Sequence, residues 1–206
     1  MKLKAFFVSI ISIFLLFLTS CNDGDDPRLY LHDFYWALTT EESDVSEAAN
    51  LTFQKIPKIE YKNIRKLVGT EGEYVWVKTT FMLPDELKGD DLSMMVPYIH
   101  FAEELYLNGH YIDDYGIMEG GPESKTIQEA GFIAHLFDFP EAFINQNSEN
   151  EVLIKIFSLG SGSICGDIFV GTRQDAWSTS DKITFWRSRI YVFLEGIMLC
   201  VSIFFL

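Results

Sequence analysis

The sequence predicts an all-β fold, a sandwich or jelly roll, followed by an apolar C-terminal helix. Short segments rich in β-branched and aromatic residues recur through the middle of the chain, and Gly, Pro or Asn residues separate them. No helical periodicity is sustained before the C-terminal segment. Strands at regular spacing with turn residues between them are typical of β-sandwiches and jelly rolls.

The predicted strands follow one another through a domain that we place at residues 51–180. The segment Tyr74–Leu83 is rich in β-branched and aromatic residues and meets Pro84, which suits the end of a strand. Pro97 weakens the next apolar run as a central strand. Further strands are predicted at 92–99, 104–112, 132–139, 151–158 and 167–170.

A tight hairpin is predicted at Asn108-Gly109, which lies between two apolar segments. Asn-Gly tolerates positive φ at both central positions, as a type I′ turn requires. The acids Asp113 and Asp114 follow, and calcium is the alternative interpretation of this stretch. Adjacent residues of a strand point to opposite faces, and a calcium loop needs several more spaced oxygen ligands. We therefore predict a turn and no metal site.

The N-terminus indicates export. Lys2 and Lys4 precede an apolar run that is too short for a comfortable membrane span, as in a secretory signal peptide. We assign residues 1–20 to this signal and 21–50 to a tether and N-terminal segment. The signal ends before Cys21 in a pattern that resembles a bacterial lipobox, which implies lipidation of Cys21; an ordinary signal peptide or an uncleaved anchor is the alternative.

The C-terminus indicates a membrane helix. Within the expected helix at 185–206 the chain is mostly apolar from Ile190, and the turn at 185–189 is interfacial, with Trp186 and Tyr191 where membrane aromatics often lie. Glu195 within a lone span would be costly, whereas a bundle of helices could supply a polar partner. We therefore expect the first transmembrane helix of a larger, truncated protein; a C-terminal anchor without a tail is the alternative.

Composition excludes several functions. The formal charge of −14 argues against nucleic acid as a partner. Of the three cysteines, Cys21 is the proposed lipid site, Cys165 lies in the domain and Cys200 in the expected span. No cysteine pair remains for a disulfide in the exported domain, and no Cys/His spacing fits zinc. We expect no cofactor.

The order of motifs resembles a known fold. A strand ending in Leu83-Pro84, the hairpin ELYLNGHYIDDYG at 104–116, the strand NEVLIKIFS at 150–158 and DIFVG at 167–171 occur in sequence. This order resembles the galactose-binding-like jelly roll, best known as the sugar-binding domain of family 2 glycoside hydrolases. The resemblance implies fold more than activity, since in those enzymes the catalytic acids lie in a separate barrel.

A second resemblance concerns architecture. Bacterial seven-transmembrane receptors with diverse intracellular signalling modules place such a jelly roll outside the membrane and continue into an aromatic first helix, much as 184–191 does here. Two features depart from that pattern. A lipobox is not typical of these receptors, and Lys182, Arg187 and Arg189 on the exported side oppose the positive-inside rule.

Aromatic side chains are the candidate ligand contacts, because they stack on sugar rings in such domains. We select Tyr111 and Tyr115 on the hairpin, and Trp177; most other aromatics are expected in the core. No acids are marked as a catalytic pair, and neither a nucleophile elbow nor a P-loop is present. The chain is therefore expected not to be an enzyme.

The sequence thus favours a ligand-sensing domain of a membrane signalling receptor, held in the cell envelope outside the cytoplasm and binding a carbohydrate or other small ligand. Further transmembrane helices and an intracellular module of the same protein are the expected partners. The alternative is a carbohydrate-binding module of a lipoprotein or of a glycoside hydrolase fragment. A structural interaction with a neighbouring membrane protein is a third possibility.

Overall fold

A computed structural model describes residues 27–57, 73–99, 102–116, 133–158 and 164–205. The strands in these ranges are β1 Arg28–Tyr30, β2 Tyr35–Thr39, β3 Gln54–Lys55, β4 Glu73–Phe81, β5 Leu92–Val96, β6 Tyr98–Ile99, β7 Ala102–Leu107, β8 His110–Tyr115, β9 His135–Phe139, β10 Asn150–Ser158, β11 Ile164–Cys165 and β12 Phe169–Thr172. The helices are α1 Val45–Ala48, α2 Arg173–Thr184 and α3 Ile190–Phe205, with a π-helical turn at Phe185–Arg189 and 3-10 turns at Asp85–Leu87 and Glu141–Phe143. The predicted signal peptide and Cys21 lie outside the described residues.

Two antiparallel sheets form a β-sandwich, which confirms the sandwich part of the predicted fold class. One sheet has the order β1-β12-β5-β9 and the other the order β3-β2-β4-β10-β7-β8; β11 and β6 form a small third pair. The long strand β10 pairs with both β4 and β7. Strand β1 belongs to the four-stranded sheet and β2 to the six-stranded sheet. The sandwich therefore includes residues N-terminal to the expected domain start at 51.

The main core lies between the two sheets, where both contribute apolar side chains. Alternation along each strand sends every second residue inward. The six-stranded sheet supplies Val75, Val77, Leu105, Leu107, Ile154 and Ile156, and the four-stranded sheet supplies Leu92, Met94, Val96, Phe137, Phe139 and Val170; each is at most 2% exposed. Burial of each such side chain stabilises the fold by roughly 1.5–3 kcal/mol.

The predicted hairpin at Asn108-Gly109 is confirmed. Asn108 has φ 51° and Gly109 has φ 80°, both positive as the turn type requires. The Asn108 amide also donates to the carbonyl of Phe143 at 2.7 Å and to Asn150 Oδ1 at 2.9 Å. These bonds fix the β7–β8 turn against the start of β10.

The outer face of the six-stranded sheet is covered by residues 41–53. Trp76 is fully buried there against Leu153, and its Nε1 donates to Ser43 Oγ at 3.4 Å. Lys155 Nζ, also buried, donates to the carbonyls of Glu41 at 2.6 Å and Ser43 at 2.7 Å. Burial lowers the pKa of the Lys155 ammonium. The two carbonyls accept hydrogen bonds from it and so offset part of the cost of burying it.

Helix α2 covers the outer face of the four-stranded sheet. Thr172 caps it by accepting from the Asp175 backbone N–H at 3.3 Å. Ala176 and Ile183 pack against Phe169 of β12. The sequence does not predict this helix because its apolar residues are few, so propensity and periodicity are weak and tertiary packing decides.

The expected membrane-spanning helix at 185–206 is not found. No helix within the described ranges is long and apolar enough to cross a membrane. In place of one long apolar helix, a π-helical turn occupies Phe185–Arg189 and α3 contains 16 residues.

Candidate functional site

A cavity of about 310 Å³ lies where the edge strands β8 and β9 meet helix α2. Edge strand β8 belongs to the six-stranded sheet and edge strand β9 to the four-stranded sheet, so the cavity opens at one side of the sandwich. Its lining combines aromatic, acidic and hydroxyl side chains. The lining residues are Asp113, Tyr115, Ala134, Leu136, Asp138, Trp177, Ser180 and Asp181.

Tyr115 lines the cavity, and neighbouring side chains and a backbone carbonyl fix its position. Its ring stacks on His135 with centroids 4.3 Å apart and meets Phe137 edge-on at 5.4 Å. Its hydroxyl donates to the Leu136 carbonyl at 3.2 Å. Burial raises the pKa of the Tyr115 phenol, so it remains a neutral hydrogen-bonding group.

A buried acid–imidazole pair lies behind Tyr115. Glu103 Oε1 contacts His135 Nδ1, and neither side chain is exposed. Glu103 Oε2 has no hydrogen-bond partner among the described residues. Burial raises the pKa of the Glu103 carboxyl, and the bond to His135 opposes this in part. The pair fixes the imidazole on which Tyr115 stacks.

Helix α2 supplies the opposite wall. Trp177, Ser180 and Asp181 share one helical face because they are three and four residues apart. Ser180 Oγ donates to the Ala134 carbonyl at 3.2 Å, which anchors this face next to the start of β9. Trp177 is 55% exposed, an unusual position for a large aromatic side chain that a ligand could cover.

A second cavity of about 590 Å³ adjoins the first at Trp177. It is lined by Asp90, Asp91, Thr172, Arg173, Gln174 and Trp177. The ion pair between Arg173 Nε and Asp138 Oδ2, at 3.3 Å, links the linings of the two cavities. Trp177 therefore borders both, and an extended ligand could lie across it.

The structure brings together two of the three predicted ligand contacts and separates the third. Tyr115 and Trp177 line one cavity, whereas Tyr111 lies on the outer face beside Tyr106, with ring centroids 5.7 Å apart. The cause is a bulge: Tyr106 pairs with Tyr111 but Leu105 pairs with Asp113. One extra residue in β8 moves Tyr111 to the face opposite Tyr115.

Several cavity residues are missed from sequence. The sequence shows Asp113 and Asp138 only as acids that form no recognisable catalytic pair. It gives no reason to select Ser180 or Asp181 as ligand contacts. The spacing Trp177-x-x-Ser180-Asp181 is the sequence pattern that could have identified these residues, since in a helix it places the three side chains on one face. It is informative only once α2 is known to be a helix.

The cavity fits a ligand with an apolar ring face and several hydrogen-bond donors. The faces of Tyr115 and Trp177 offer apolar and π surface, and the carboxylates of Asp113, Asp138 and Asp181 accept hydrogen bonds. Sites of a few hundred Å³ with a few convergent polar groups are typical of small-molecule binding. Within the described ranges, no group of three or more acidic, His or Cys side chains is arranged to hold a metal ion.

Solved β-glucuronidases share this fold. The apo enzyme from Ruminococcus gnavus matches with a TM-score of 0.54 and 15% identity over 73% of this chain and 29% of that chain. The same enzyme in complex with D-glucuronic acid matches with a TM-score of 0.54 and 15% identity, over 73% of this chain and 30% of that one. At this identity the likeness shows the fold alone.

These neighbours are glycoside hydrolases, the enzyme class that the sequence resemblance names. This chain spans less than a third of their length. No family model and no curated protein sequence matches it. The resemblance to membrane receptors stays a prediction.

Proposed function

We propose that this β-sandwich binds a carbohydrate across Trp177 and does not itself catalyse a reaction. One observation carries the proposal: Tyr115 and Trp177, both selected from sequence as ring-stacking residues, line the same cavity together with hydrogen-bond acceptors. The faces of sugar rings carry C–H groups that pack on aromatic side chains, while their hydroxyls donate to carboxylates. The shared fold with glycoside hydrolases is consistent with this ligand class.

A binding role fits the acids better than hydrolysis does. A glycosidase needs one carboxylic acid and one carboxylate at a fixed separation across the sugar bond. Asp138 is held in an ion pair with Arg173 and accepts a hydrogen bond from Ser93 Oγ at 2.5 Å, so both of its carboxylate oxygens are already engaged within the protein. The resemblance places catalytic acids in a barrel outside this kind of domain.

A titration of the full chain with an oligosaccharide panel tests the proposal. Bound ligand raises the melting temperature by mass action, so thermal shift identifies ligands and calorimetry measures their affinity. We expect Trp177→Ala to weaken binding at least about tenfold, as loss of one stacked aromatic does. Tyr111→Ala is the matched control, since Tyr111 is a similarly exposed aromatic outside the cavity. Equal losses in the two variants would overturn the assigned location.

A sensory domain in the cell envelope is the second candidate, favoured by the way the C-terminal helix is attached. Helix α2, the π-helical turn and α3 are continuous. Arg187 donates to the Pro97 carbonyl and lies over the Tyr98 ring at 5.5 Å. A ligand at Trp177 of α2 could thus bias the helix that leaves the domain.

Hydrogen exchange distinguishes the two candidates. A sensor predicts that ligand changes amide protection at 185–189, whereas a free-standing binding module predicts changes confined to the cavity. Envelope attachment is tested separately by labelling cells with a lipid precursor: incorporation into the chain that is lost in Cys21→Ser supports it, and equal labelling of both refutes lipidation at that residue.

A further inference from the structure

The two cavities that adjoin Trp177 carry a strong excess of negative charge. Their described lining includes five carboxylates and one cation. The acids are Asp90, Asp91, Asp113, Asp138 and Asp181, and the cation is Arg173.

The one cation is already engaged within the protein. Arg173 Nε lies 3.3 Å from Asp138 Oδ2, and the Arg173 backbone N–H donates to the Asp91 carbonyl at 2.7 Å. This ion pair offsets part of the Arg173 charge, so the guanidinium attracts a ligand carboxylate less strongly than a free cation would. The other four lining carboxylates form no ion pair with a described residue.

We propose that the cavities at Trp177 select an uncharged or positively charged carbohydrate and reject uronic acids. This inference rests on the carbohydrate binding proposed above. Unpaired carboxylates accept hydrogen bonds from sugar hydroxyls and bind an ammonium group more strongly, because one partner then carries a positive charge. A uronate would bring a like charge next to five carboxylates, with Arg173 as the single cation in the described lining.

The proposed preference is opposite in charge to the D-glucuronic acid present in the complex of the R. gnavus β-glucuronidase. A shared fold at 15% identity does not carry a ligand with it. The lining residues decide selectivity, and here they are acids.

Three matched ligands test the charge preference on the full chain. The β-1,4-linked tetramers of glucose, glucosamine and glucuronic acid share a backbone and differ in charge. At low salt, of about 20 mM, we expect calorimetry to show the glucosamine tetramer binding about tenfold tighter than the glucose tetramer, and the uronic tetramer at least about tenfold weaker. At high salt, of about 0.5 M, these differences should shrink to about threefold or less, since screening weakens exposed charge interactions.

Charge-removing variants identify the responsible acids. Asp113→Asn combined with Asp181→Asn should reduce the preference for glucosamine over glucose by about three- to tenfold. The matched control Glu86→Gln combined with Glu141→Gln removes two exposed acids that line neither cavity and should leave the preference unchanged. An equal reduction in both double variants would assign the preference to overall charge and overturn the inference.

The remaining outcomes separate this inference from the proposed function. Binding of the uronic tetramer as tight as that of the glucose tetramer overturns the charge preference and leaves carbohydrate binding standing. Failure of all three tetramers and of the wider panel overturns both.

Discussion

Helix α2 is held on the sandwich by an ion pair between Arg28 of β1 and Asp175 of its first turn, so Arg28→Ala should destabilise the protein. Arg28 Nε and Nη2 donate to the two oxygens of Asp175 at 2.5 and 2.6 Å. The Asp175 side chain is 6% exposed and that of Arg28 is 23% exposed. The guanidinium also lies 4.9 Å from the Phe169 ring centroid.

The magnitude follows from this geometry. Removing one partner of a buried ion pair costs about 3–5 kcal/mol, because the other charge remains buried without compensation. Partial exposure of Arg28 allows water to solvate Asp175 in the variant, so we place the loss at the lower end, about 3 kcal/mol. For a chain of this size, that corresponds to a melting temperature lower by about 6–12 °C.

Urea denaturation of the full chain, followed by circular dichroism and tryptophan fluorescence, measures the loss. Arg28→Lys should lose less, since it keeps the charge but not the paired hydrogen bonds. Lys78→Ala is the control: it removes an ion pair with Glu151 in which both side chains are about a third exposed, and should cost at most about 1 kcal/mol. A loss in Arg28→Ala no greater than that in Lys78→Ala, or a double-mutant cycle with Asp175→Asn that shows no coupling, would contradict a stabilising role for this ion pair.

Two further predictions concern the core and a turn. Burial raises the pKa of the Glu103 carboxyl in the folded state above its ordinary value of 4.5, so the folded protein binds the proton more tightly. This contribution to stability is fully present below the unfolded pKa and is lost as the pH rises. The melting temperature of the wild type minus that of Glu103→Gln should therefore fall as the pH rises above 4.5, and a difference that rises with pH contradicts the assignment. At Gly166, with φ +99°, an added Cβ would lie 2.6 Å from Pro97 Cβ, so Gly166→Ala should cost about 2–4 kcal/mol by chemical denaturation. Gly89→Ala, at φ +82° with nothing within 4 Å, should cost about 1 kcal/mol, and equal losses would show that the contact with Pro97 is unimportant.

Strong local patterns account for what the sequence predicts about the fold. The strands predicted at 74–83 and 151–158 appear as β4 and β10, which pair along their whole length. Both are long and rich in β-branched residues, so intrinsic preference and burial agree. The Asn108-Gly109 turn is equally local, since its two residues alone satisfy the φ requirement.

Features set by distant contacts are not predictable in this way. The pairing of β1 with β12 joins residues far apart in sequence, and three-residue strands carry little pattern of their own. The bulge in β8 moves Tyr111 to the outer face of the sheet. The bulged residues include no glycine or proline that would indicate it in the sequence. The candidate cavity depends on the bulge in β8 and on the helical structure of α2, because together they place Tyr115 and Trp177 in one lining.

The most direct test of a carbohydrate site at Trp177 is the indole N–H region of a ¹H–¹⁵N NMR spectrum during titration with a bound oligosaccharide. The four tryptophans give four signals, and Trp177→Phe assigns the relevant one. We predict that the Trp177 signal moves most and in a saturable way, while that of buried Trp76 stays in place. Saturable binding that leaves Trp177 unchanged and shifts another indole would contradict it.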